Sequence, residues 1–101
     1  MRRILALLAV LAATGAWAAL PRVTSEMETK ASARWPGITQ DQLAEGRSLY
    51  VAKCAGCHNL RQPDSRSVEE WPSILDRMQI KAKLTDDQKT RILQYILTAH
   101  Q

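Results

Sequence analysis

Beyond residue 38 the apolar positions fall into three stretches with helical spacing. Leu43, Gly46, Tyr50 and Cys54 recur every three or four positions and share one side of a helix running from about Gln40 into the cysteines. Trp71, Ile74, Leu75 and Met78 share a face over about Val68 to Gln79, as do Ile92, Tyr95, Ile96 and Ala99 over about Asp86 to Ala99. Each stretch opens with Ser or Thr followed three residues on by Gln or Glu: Thr39 with Gln42, Ser67 with Glu70, Thr85 with Gln88. This is the capping box, in which the first side chain accepts a backbone N–H and the second reaches back to the cap's own amide. Pro72 conflicts with a helix begun at Val68, because it would cost an intrahelical hydrogen bond; a tight first turn with regular helix starting near Pro72 removes the conflict. No segment alternates like a strand and no repeat is visible, so the expected fold class is all-α and a single compact unit.

The N-terminus is patterned differently. Arg2 and Arg3, an apolar run from Ile4 to Ala13, and Ala16-Trp17-Ala18 stand in the order of a secretory signal. Residues 1–18 are therefore read as a signal peptide, with the working domain in the periplasm. An uncleaved anchor is the alternative, since Ile4 to Leu20 reaches the lower limit of about 17 residues for a spanning helix. After cleavage no integral membrane span is expected. Residues 19–37 mix Ser, Thr, Glu, Lys and Arg without apolar periodicity and read as an extended arm closed by a turn at Trp35-Pro36-Gly37. Trp35 either packs across a cofactor edge or pins the arm to the domain. Residues 38–101 form the folded domain.

Composition sharpens this picture at two points. With three Trp, two Tyr and no Phe in 101 residues, a single small domain has few large side chains with which to fill a core. A metal or cofactor often completes a core of this size. Fourteen Lys and Arg against ten Asp and Glu give a formal charge of +4, but Arg2 and Arg3 belong to the leader. The small, dispersed excess that remains does not make a nucleic-acid surface, which needs clustered cations. No Ser–His–Asp set, phosphate-cradling glycine loop or other catalytic constellation is legible, so the chain reads as no enzyme.

The chemistry is concentrated in Cys54-Ala55-Gly56-Cys57-His58, which holds the only two cysteines. Two thiols three positions apart at a helix end reach the two vinyl groups of one haem, and the next residue sets an imidazole under the iron. Small Ala55 and Gly56 let the backbone approach the porphyrin edge. Three other readings use the same residues. A thioredoxin-like dithiol follows a strand in a βαβ setting, which is missing here. A disulfide across a two-residue gap closes too short a loop to stabilise much. A zinc site needs a fourth ligand, and only the remote His100 is available. One covalently attached haem c per chain is the favoured reading.

The order of Gly46-x-x-x-Tyr50, Cys54-x-x-Cys57-His58, a short loop with Pro63, Trp71 leading to Met78, and a last helix with Tyr95-Ile96-Leu97 resembles the small monohaem cytochromes c of the class I type. The resemblance spans about Ile38 to Ala99. It differs from the c-prime type, whose haem motif lies close to the C-terminus. It implies a cytochrome c-like helical fold around one haem, first and last helices crossing where Gly46 admits Tyr95, and single-electron transfer between larger redox proteins. It also implies that His58 is the proximal ligand and that a carbonyl near a proline, here Pro63, orients its ring; a plain turn role for Pro63 is the alternative.

The sixth ligand decides the function, since a thioether favours ferrous iron and an open position admits small molecules. Met27 lies in the polar arm, whereas Met78 lies one turn beyond Ile74 and Leu75 on a face that walls the haem. Some compact family members carry a Trp and then an Arg-Met pair here, as in Trp71 and Arg77-Met78. His100, beside the C-terminal residue, is the competing ligand. Arg47, Lys53, Arg61, Arg66, Arg77, Lys81 and Lys83 either steer the protein to an acidic partner or form a solvated surface shared with Asp64, Glu69, Glu70 and Asp76. An open-site haem enzyme or gas sensor, and a dedicated haem subunit of a larger dehydrogenase or oxidase, are the alternative functions.

Overall fold

The computed structural model describes residues 20–54 and 60–101. Among them are four α-helices and no strand: α1 (Ser25–Ser32), α2 (Gln40–Cys54), α3 (Trp71–Ala82) and α4 (Asp86–Ala99), with a 3₁₀ turn at Pro63–Ser65. None of these helices is long and apolar enough to cross a membrane. The leader expected over 1–18 lies outside the described residues, as do Ala55, Gly56, Cys57 and His58.

The expected capping signals operate as hydrogen bonds. At α2 the Gln42 amide donates to Thr39 Oγ1 at 3.1 Å and the Thr39 amide to Gln42 Oε1 at 3.1 Å. At α4 the Gln88 amide donates to Thr85 Oγ1 at 3.1 Å and the Thr85 amide to Gln88 Oε1 at 3.0 Å. The Ser67–Glu70 pair is closed too, at 3.1 and 2.9 Å. It shapes a turn ahead of α3, and regular helix begins only at Trp71. Pro72 thereby falls in the first turn, where its missing N–H breaks no helical bond. α3 runs past the expected Gln79 to Ala82 and stops at Lys83, which is left-handed at φ 57°, while the Leu84 amide bonds back to the Gln79 carbonyl at 3.0 Å.

The core forms where α2 crosses α4. Leu43, Gly46, Tyr50 and Cys54 are all buried on α2, and Ile92, Tyr95, Ile96 and Ala99 on α4. Gly46 makes the close crossing possible, because a Cβ there would overlap the Arg91 carbonyl and lie 3.0 Å from Tyr95 Cβ. The crossing is flanked by an ion pair, Arg91 Nε to Glu45 Oε1 at 3.4 Å. α3 adds Trp71 and Leu75 to the same core.

The extended arm expected over 19–37 is not what forms, for residues 25–32 are helical. Thr24 caps α1 by accepting from the Met27 amide at 3.1 Å, and Glu26 and Glu28 suit its N-terminal dipole. Besides the packing of Met27 and Ala31 on the core, the helix is held by distant partners. Glu28 Oε2 accepts from the Gln40 amide at 2.8 Å, at the start of α2. Lys30 Nζ donates to the carbonyls of Thr98 and His100 at 2.9 and 2.7 Å, at the end of α4. Upstream, Pro21 O accepts from Tyr95 Oη at 2.6 Å and from Arg47 Nε at 3.0 Å, and Leu20 is buried. The expected turn closes the segment: the Ile38 amide bonds to Trp35 O at 3.0 Å, with Gly37 at φ 87°, as a type II turn after Pro36 requires.

Candidate functional site

Cys54 is the last residue of α2 and is buried at 5 % exposure. It faces a cleft of about 560 Å³ whose apolar walls include Tyr50, Leu60, Ile74 and Met78. That volume falls within the roughly 300–1,000 Å³ range of cofactor sites. The half-buried Arg66 and the exposed Arg61, Glu69, Glu70, Ser73, Arg77 and Lys81 make the rest of its lining polar or charged. The two ends of the expected site that fall among the described residues, Cys54 and Met78, thus border one cleft. Met78 is half-buried and also packs on the core. Cys57 and His58 lie outside the described residues.

The chain beyond the attachment motif is pinned by two rings. Tyr50 Oη donates to the Arg61 carbonyl at 2.8 Å and accepts from the Arg61 amide at 3.1 Å. Trp71 Nε1 donates to the buried Pro63 carbonyl at 2.8 Å. The rings meet edge to face, with centroids 6.3 Å apart and planes at 89°. Burial pushes the Tyr50 phenol up to about 12, its bond to Arg61 opposing that rise in part. Burial likewise raises Tyr95. The Ser67 amide, and then its hydroxyl, hold the exposed Glu70 carboxyl below its ordinary value.

Other candidates are committed elsewhere. His100 Nε2 lies 2.9 Å from the Arg66 carbonyl, which it reaches as a donor, and its Nδ1 is 3.7 Å from Asp64 Oδ1. It is not among the residues that line the cleft. Met27 packs between α1 and the core. Trp35 packs against Ala31, Ile38 and Leu43, with the Arg34 guanidinium 4.9 Å above its ring, so it pins the N-terminal segment. Arg47 holds the carbonyls of Leu20 and Pro21, whereas Arg61, Arg66, Arg77 and Lys81 all reach the cleft.

The hydroxyl partners of Tyr50 and the indole partner of Trp71 are the site features that periodicity does not reveal. The one available signal is chemical: a Tyr or Trp on a core face needs a partner for its polar atom. Pro63, near which the resemblance expects a carbonyl that orients His58, lies in the 3₁₀ turn and its own carbonyl accepts the Trp71 N–H. Compared with known proteins, the chain matches no family model, no curated protein and no solved structure.

Proposed function

We propose that the chain is a small monohaem cytochrome c of the class I type, exported to the periplasm, where it carries single electrons between larger redox proteins. The observation that carries this reading is that Cys54, first residue of Cys54-Ala55-Gly56-Cys57-His58, ends α2 at a cofactor-sized cleft that Met78 of α3 also lines. A thiol that can attach to a vinyl group and a thioether that can ligate iron, both bordering one cleft, suit haem c.

In this reading Cys54 and Cys57 would hold the haem through thioether links to its two vinyl groups, and His58 and Met78 would ligate its iron. When bound, the haem supplies a one-electron ferrous/ferric couple, and a thioether ligand favours the ferrous form. Leu60, Ile74 and Tyr50 keep water from the buried side, and the packed α2–α4 core holds the walls still, which limits reorganisation on electron transfer. The leader pattern at Arg2, Arg3 and Ala16-Trp17-Ala18 supports export, to a compartment in which haem c is attached.

Denaturing solvent extraction of the exported protein tests the attachment. The account expects one haem per chain to remain with the polypeptide, and Cys54→Ala/Cys57→Ala to lose it. Haem that leaves the wild-type chain, or no haem at all, overturns the reading.

A further inference from the structure

The attachment segment leaves α2 at Cys54 and returns to the described chain at Leu60. One side chain ties both of its flanks. Tyr50 lies one helical turn before Cys54 on the same buried side of α2. Its hydroxyl holds the amide and the carbonyl of Arg61 at 3.1 and 2.8 Å. Two bonds from one oxygen to the same residue's main chain set that residue's orientation as well as its position. The phenol has little freedom, being 1 % exposed with its ring against Trp71, and Trp71 itself holds Pro63.

Packing alone does not account for the hydroxyl. A phenylalanine ring fills the same space, and a buried hydroxyl costs free energy unless it is bonded. Here both of its bonds go to the strand of chain that leaves the attachment motif, and none to a neighbouring helix.

We propose that Tyr50 is a positioning residue for the haem-attachment segment: its hydroxyl clamps the Arg61 main chain and thereby fixes the chain just beyond the segment that carries His58. The proposal rests on the cytochrome reading. Removing the hydroxyl leaves α2 and α4 packed but frees the main chain at Arg61, so the iron ligands would be easier to displace.

The test compares wild type, Tyr50→Phe and Ser48→Ala as full-length, exported, haem-loaded protein. Hydrogen exchange is followed at the Arg61-position amide and at the Ile92 amide in α4, and the rate of carbon monoxide binding to the ferrous protein is measured. In Tyr50→Phe, exchange at Arg61 rises about tenfold, with no more than about a twofold change at Ile92, and carbon monoxide binds about tenfold faster. Ser48→Ala, at an exposed position of α2 outside the cleft, matches wild type in both readouts. Equal acceleration at Arg61 and Ile92 overturns the proposal, because it reports general destabilisation. So does a loosened Arg61 with an unchanged carbon monoxide rate, since the clamp then positions nothing. Absence of covalent haem from wild type overturns the functional reading and the positioning role together; the wild-type spectrum identifies that case, and the exchange arm still reports whether the clamp exists.

Discussion

Gly46 of α2 packs against the main-chain carbonyl of Arg91 on α4 so closely that a Cβ at Gly46 would overlap that oxygen. Backbone cannot move aside as a flexible side chain would. Gly46→Ala therefore forces the two helices apart, at a cost of about 3 kcal/mol that outweighs the higher helix propensity of alanine. Urea unfolding should show the midpoint falling with little change in slope. Ser48→Ala, at an exposed position of the same helix, serves as the control and should shift stability by less than about 0.5 kcal/mol.

Lys30 places an ammonium on the last carbonyls of α4. Lys30→Met keeps most of the stem and removes both bonds and the charge that complements the helix dipole, for an expected loss of about 1 kcal/mol. The loss should concentrate at the end of α4, with faster amide exchange at Ala99 and His100 than at Ile92. Uniform exchange along α4 would contradict the clip.

The raised phenols give the protein an alkaline limb. A buried Tyr50 stays protonated to about 12, whereas in the unfolded chain it ionises near about pH 10. Between these values the unfolded state binds fewer protons than the folded state, so stability falls as pH rises, by up to about 1.4 kcal/mol per pH unit for one such group. Below about pH 10 both states hold the proton and the contribution is fully present. Tyr95 is raised in the same direction and adds to the limb. Denaturant titrations across this range should show a shallower fall for Tyr50→Phe than for wild type. An identical slope would mean that the Tyr50 phenol ionises normally when folded.

Three helices were legible in the sequence because their signals are local. Thr39, Thr85 and Ser67 each find their capping partner three residues away, and the burial of Leu43, Gly46, Tyr50 and Cys54 follows from spacing alone. α1 was illegible for the opposite reason. Its apolar side is only Met27 and Ala31, and its polar partners, Gln40 for Glu28 and Thr98 for Lys30, lie on other helices. Of the site, periodicity places Cys54 at the end of α2 and Met78 beyond Ile74, and both border one cleft. The Tyr50–Arg61 and Trp71–Pro63 bonds escaped because a ring on a core face looks the same in sequence whether or not its polar atom ties down a loop.

The central claim is that His58 and Met78 complete an iron site in this cleft, and optical spectra of wild type and Met78→Ala test it most directly. The account predicts a weak near-infrared sulfur–iron band in the ferric wild type that vanishes in Met78→Ala, with carbon monoxide binding readily only to the ferrous variant. A wild type that lacks the band and already binds carbon monoxide readily would contradict it and point to an open-site haem enzyme or sensor.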